Sequence, residues 1–227
     1  MFLTRVLPTT GLLVSQLTER ANSGDAYAQH QLLWQLFPDQ EDRSFIFRYE
    51  QGRSGPCYYL LSPSEPSTEL DGAQMITKPF QPKLQEGDQL GYTLRANPTR
   101  MLKSNSTGKR GQRVDVLMHA KAQARGQSEA DIAQLQQQAA QDWLMDPERQ
   151  ARMGVNIETV PEVTEHQQHH VYKSGKKHGR AAPIQFASVN YQGVLTVADP
   201  ERFLIHLAQG VGRAKAFGCG LMMIRRI

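Results

Sequence analysis

The side chain best suited to moving a proton near neutral pH is His30, in the stretch DAYAQHQLLWQLFP, residues 25 to 38. On a helical wheel Ala26, Leu33 and Phe37 fall close together, His30 lies beside them, and Tyr27 and Trp34 edge the same arc. An ionisable ring therefore shares the apolar face. Two readings of His30 follow: a packed, hydrogen-bonded histidine, the commoner fate of a lone one on such a face, or a proton-transfer group.

Other residues point to a polyanion. From Arg95 to Arg125 there are eight basic residues (Arg95, Arg100, Lys103, Lys109, Arg110, Arg113, Lys121 and Arg125) against one acid, Asp115. A second cluster, KSGKKHGR, holds Lys173, Lys176, Lys177 and Arg180 without an acid, and a third comprises Arg213, Lys215, Arg225 and Arg226. The net charge is only +4, so the clustering carries the information rather than the average. The segment GVGRAKAFGCG places Gly210, Gly212, Gly218 and Gly220 within eleven residues, which demands a close approach of backbone to something. A dinucleotide-binding turn needs a strand before the glycines and a helix after, and here the order is reversed. The loop can cradle phosphates through its N–H groups, Arg213 and Lys215, or pack tightly on a neighbouring sheet.

Metal and redox chemistry find little support. His166, His169 and His170 fall in an expected loop with no acidic or cysteine partner at ligand spacing, and Cys57 and Cys219 form neither a CxxC pair nor a disulfide framework. No metal and no cofactor is expected. No run of about 18 apolar residues occurs, so the reading is a soluble, cytoplasmic protein with no membrane contact.

The elements that must position these residues are legible as periodicities. FLTRVL alternates as a strand, a helix follows Asp25 and ends at Pro38, and SFIFRYEQ and CYYLLSP read as a hairpin. Residues 64 to 88 read as loops with short edge strands. A second unit opens on DQLGYTLRANPT, a strand closed by Asn97-Pro98. A helix follows from Ser128, capped with Asp131 and striped by Ile132, Leu135, Ala139 and Trp143. Strands are expected over VNIETVPEV and PIQFASVNYQGVLTV, then a helix with Asp199 as N-cap and Pro200 at its first position, then a terminal strand, LMMIRRI. The order strand, helix, strand, strand, helix, strand is that of a ferredoxin-like unit. The expected class is α+β, two tandem ferredoxin-like (RRM-like) domains, each βαββαβ, over residues 1–87 and 88–227.

GVGRAKAFGCGL near the C-terminus, YTLRANPT followed by GKR, YQGVLTV before the last helix, and YAQHQLLWQLFP together resemble the CasE family of CRISPR repeat-processing endoribonucleases. The resemblance spans nearly the whole chain. It implies two ferredoxin-like domains, the first carrying the catalytic helix, and cleavage of CRISPR precursor RNA at the base of the repeat hairpin. It further implies metal-independent attack by the RNA's own 2′-hydroxyl, a 2′,3′-cyclic phosphate product, and retention of that product among the other subunits of a surveillance complex. Tyr27 and His30 match the Tyr-x-x-His arrangement of some members, which makes His30 the essential proton-transfer group and Tyr27 its helper. Residues three apart on a helix reach one phosphodiester from the same side, and an imidazole with an ordinary pKa of about 6.5 suits either proton transfer. Arg95, Arg100, Lys103, Lys109, Arg110, Arg113, Lys173, Lys176, Lys177, Arg180, Arg213 and Lys215 are the expected RNA-binding residues. The competing reading is a module of the same fold that binds RNA or protein without cutting.

Overall fold

The computed structural model describes residues 1–11, 13, 26–42, 44–52, 55–102, 111–171 and 184–227, with only the backbone of 26–28. The chain forms two compact units. One comprises Met1–Lys83, His169–Gln185 and Leu207–Leu221, the other Leu84–Gln168, Phe186–His206 and Met222–Ile227. The first thus takes in two segments that the sequence reading assigns to 88–227, one of them carrying the four glycines.

In the first unit, strands β1 (Phe2–Pro8), β2 (Ile46–Gly52), β3 (Gly55–Ser62) and β4 (Ala73–Pro79) form an antiparallel sheet in the order β2-β3-β1-β4, with helix α1 (Ala26–Trp34) between β1 and β2. Alternation puts Tyr58 and Leu60 of β3 on one face with Val6 of β1 and Phe47 of β2, and Leu33, Leu36, Phe37 and Phe45 join them in the core. The connection from β3 to β4 contains Pro63, Pro66 and Gly72 and is not helical. Pro63 and Pro66 lack backbone N–H donors, which disfavours a helix running through the first part of this connection. β4 is an edge strand of seven residues, longer than the short pieces expected there.

The second unit has β5 (Gln89–Ala96), β6 (Thr99–Leu102), β7 (Gln112–Asp115), α2 (Val116–Gln123), α3 (Glu129–Met145), α4 (Pro147–Met153), β8 (Val155–Asn156), β11 (Met222–Arg226) and most of β9 (Glu162–Val171), β10 (Ile184–Val197) and α5 (Pro200–Gln209), the end of β9, the start of β10 and the end of α5 falling in the first. Its main sheet runs β11-β5-β10-β8, with β9 also on β10 and β6 paired to β7. Setting the short β6 and β7 aside, the strand order matches that of the first unit, so both sheets are ferredoxin-like and the class is α+β. Of the strand expected over 155–163, Val155–Asn156 form β8 and Glu162 and Val163 open β9, with a break at 157–161 between them, and the loop expected for His166, His169 and His170 is strand β9.

Side-chain caps fix the helix starts. Ser128 Oγ accepts from the Asp131 N–H at 3.2 Å and donates to its carboxylate at 2.6 Å, and Asp199 accepts from the Arg202 N–H at 3.0 Å. Trp143 of α3 stacks on Tyr191 of β10 at 6.1 Å between centroids, and the Tyr191 hydroxyl donates to the Ala140 carbonyl at 3.0 Å.

Candidate active site

The site is built outward from α1. Its last turn tightens into three-residue bonds, with the Phe37 N–H donating to the Trp34 carbonyl at 2.9 Å. Ser67 N–H and Thr68 Oγ1 then donate to the Leu36 and Gln35 carbonyls at 3.0 and 2.5 Å, so the helix terminus is tied down without a glycine cap. Leu33 and Phe37 bury into the core, which sets the rotation of the helix and turns His30 toward β2.

His30 is 5 % exposed and surrounded by rings. Phe45 stacks on its imidazole at 5.4 Å and 22°, and Phe37 stacks in turn on Phe45 at 5.2 Å and 20°, giving a column of three rings. Trp34 meets the imidazole edge-on at 5.1 Å and 90°, and Phe47 closes a third side at 6.3 Å. The ring therefore has few orientations open to it. It nevertheless borders a depression of about 520 Å³ lined by His30, Gln31, Trp34, Gln35 and Pro38. A held imidazole at the rim of an open depression suits proton transfer to and from a ligand. Tyr27 lies in the first turn of α1, with its side chain outside the described residues.

The glycine-rich segment belongs to the same unit, and its close approach is to protein. A Cβ at Gly218 would stand 3.3 Å from Phe47, and one at Gly210 would stand 3.0 Å from Ile46, both on β2. All four glycines have positive φ, from 76° to 98°, as does Ala214 at 56°. This backbone returns on itself through a bond from the Val211 N–H to the Gly220 carbonyl at 2.8 Å. The turn it forms, Lys215–Phe217, packs against α1 and β2. The loop thus joins the helix of His30 to a cationic segment in which Arg213 is exposed and Lys215 half-buried.

In the second unit Arg95 is half-buried, its Nε donating to Asn190 Oδ1 at 2.8 Å, and the Asn190 amide donates to Glu165 at 2.8 Å. Arg100 and Arg113 are exposed on the paired strands β6 and β7. Arg100 also borders a cavity of about 620 Å³ whose lining includes His119, Asp142 and Arg149. The Arg149 guanidinium lies 3.8 Å over the Trp143 ring, and burial pushes its pKa down. Lys103, Lys109, Arg110, Lys173, Lys176, Lys177 and Arg180 lie outside the described residues. Among the described residues no group of three or more His, Cys, Asp or Glu could hold a metal ion, and no helix is long and apolar enough to cross a membrane.

Sequence reasoning missed Phe45 as a partner of His30. The signal available was the aromatic run FIFRY at 45–49, which alternation splits into a core-facing and an outward set; it gives no means of choosing which ring meets the imidazole.

The chain is similar to known proteins along nearly its whole length. A family model described as CRISPR associated protein matches residues 1–226. The chain is 33 % identical over 211 residues to the CRISPR system Cascade subunit CasE of Escherichia coli, covering 90 % of this chain and 94 % of that one. It is 29 % identical over 202 residues to the CRISPR-associated endoribonuclease Cse3 of Thermus thermophilus, covering 86 % and 80 %. The solved structure of CRISPR endoribonuclease Cse3 bound to 19 nt RNA superposes with a TM-score of 0.70 at 26 % identity, over 99 % of this chain and 100 % of that one.

Proposed function

The chain belongs to the CRISPR associated protein family, and on that premise we propose that it is an endoribonuclease that cuts CRISPR precursor RNA at the base of the repeat hairpin without a metal ion. The observation that carries this reading is the imidazole of His30, locked by Phe45 and Trp34 yet bordering an open depression. The likeness to relatives named as endoribonucleases, one of them solved with RNA, supplies the substrate class.

In this mechanism the 2′-hydroxyl upstream of the scissile phosphate loses its proton and attacks phosphorus. The 5′-oxygen departs with a proton, leaving a 2′,3′-cyclic phosphate and a 5′-hydroxyl. His30 exchanges one of these two protons and Tyr27 assists from one turn earlier on the same helix. Charge on the non-bridging oxygens calls for a cation, and Lys173, Lys176 and Lys177 are candidates from the basic segment beyond β9. Arg95, Arg100, Lys103, Lys109, Arg110, Arg113 and Arg180, with Arg213 and Lys215, track phosphates of the hairpin, whose deep groove admits flexible cations without base reading. The product stays bound and joins the other subunits of a Cascade-type complex, as the name of the Escherichia coli relative suggests.

The test is incubation of the full chain with labelled cognate repeat RNA in EDTA. Cleavage is expected to survive chelation and to vanish when the upstream 2′-hydroxyl is replaced by hydrogen. Loss of cleavage in EDTA, restored by a divalent ion, would overturn the metal-independent reading, and binding with no cleavage in either condition would favour a non-catalytic module.

A further inference from the structure

We infer that the depression beside His30 is a subsite for one nucleobase flanking the scissile phosphate, read by Gln31 and Gln35 against the indole of Trp34. The inference rests on the reading of the chain as an RNA-cleaving enzyme and adds a specificity determinant to it.

The lining residues stand at helix spacings of one, four, five and eight from His30, so they form a single strip along α1 and just beyond it. None of them is Lys, Arg, Asp or Glu, so apart from the imidazole the strip has nothing to neutralise a phosphate with. Its chemistry instead suits a base. Trp34 supplies an aromatic wall, half-buried, with its indole N–H directed at the Gln40 carbonyl at 3.4 Å. Gln31 and Gln35 are exposed, and among the described residues their side-chain amides make no hydrogen bond, leaving donors and acceptors available on both. An amide presents the paired donor and acceptor that the edge of an unstacked base requires, and aromatic side chains are the usual platforms for such bases. A volume of about 520 Å³ is enough for one nucleoside. Because His30 borders the same depression, the base held there belongs to a nucleotide adjoining the phosphate on which His30 acts.

The experiment measures single-turnover cleavage of seven repeat RNAs, the cognate repeat and the three single changes of the base 5′ of the cut and of the base 3′ of it, with the opposing nucleotide changed wherever needed to preserve the stem. The wild-type chain is expected to prefer one base at one of the two positions by about tenfold or more, the range expected for a base held by stacking and amide hydrogen bonds. The double variant Gln31→Leu/Gln35→Leu is expected to cut every member of that set within about threefold of the others. Both positions are exposed, so the fold is retained and circular dichroism checks it. A preference unchanged in the double variant, or a wild-type chain indifferent at both positions, would overturn the subsite. His30→Ala separates the two layers of the argument. If it cuts like wild type, the functional reading fails; if it is inactive while the double variant keeps the wild-type base preference, only the subsite fails.

Discussion

The imidazole of His30 carries two demands that a single side chain seldom meets together: burial among rings and access to a ligand. The column His30, Phe45, Phe37 meets the first by making the imidazole part of the core, and the proposed reaction would draw the second from the depression that the ring borders along α1. His30→Ala is therefore expected to lower the cleavage rate by at least about 10²–10⁴-fold, the contribution of a positioned acid or base, with hairpin affinity within a few fold. Rapid-quench cleavage and filter binding on the same preparation check both halves. Phe45 is the residue whose loss should couple folding to chemistry. Phe45→Ala is expected to cost about 3–5 kcal/mol in urea unfolding, whereas Phe45→Leu, closer in volume, should cost under about 1.5 kcal/mol yet still slow cleavage by freeing the imidazole. The two cysteines are buried as well. Cys57 is 7 % exposed and Cys219 is 0 % exposed, and burial pushes the Cys57 thiol above its ordinary pKa. Since the thiolate is the reactive species, iodoacetamide at about pH 8 should label neither until the chain is denatured, and mass spectrometry of intact protein reads the result.

Elements were legible in the sequence where one face had a clear period, and obscure where a single side chain organised them. The alternation in FLTRVL and CYYLLSP, and the caps Ser128 and Asp199, point correctly to β1, β3, α3 and α5 because burial and capping are local signals. The hairpin of β6 and β7 and helix α2 were hidden inside what reads as a basic run, because charge masks the weak pattern of VLMHAKAQ. The missed clue is the lone acid of that run. Asp115 accepts from the Leu117 and Met118 N–H groups at 2.9 and 3.1 Å, and from the Ala187 N–H of β10 at 3.2 Å. It caps α2 and ties it to the sheet, so Asp115→Ala should destabilise the chain by about 1–2 kcal/mol, with Asp115→Asn recovering much of the loss. Denaturant midpoints at constant slope are the measurement. The glycine-rich segment was legible as a close approach but not as an approach to β2, since the partner is more than a hundred residues away in sequence. Gly218→Ala, at φ 78° and facing Phe47, is expected to cost at least about 1–2 kcal/mol from the backbone alone and to slow cleavage through the turn packed on α1. A full cleavage rate with wild-type stability would remove the loop from that role.

Taken as a whole, the chain has 26 Lys and Arg against 22 Asp and Glu, too even a balance for net charge to drive RNA binding. Any electrostatic attraction has to come from local segregation, and the exposed guanidiniums of Arg100 and Arg113 on the paired strands β6 and β7 are its clearest described instance. Each phosphate neutralised on a duplex releases counterions and steepens the dependence of log affinity on log salt by about 0.9. Arg100→Glu together with Arg113→Glu should therefore weaken hairpin binding and flatten that slope by about 2 across a salt series, with charge reversal adding to the loss at low salt. His30→Ala should leave the slope untouched, because a ring enclosed by Phe45, Phe47 and Trp34 makes no general contribution to the field along the stem. Gln31→Leu/Gln35→Leu, which changes no charge, should likewise preserve the slope. An unchanged slope in the arginine variant would return β6 and β7 to ordinary solvated surface, while a flattened slope in the His30 variant would mean that histidine holds RNA rather than acts on it.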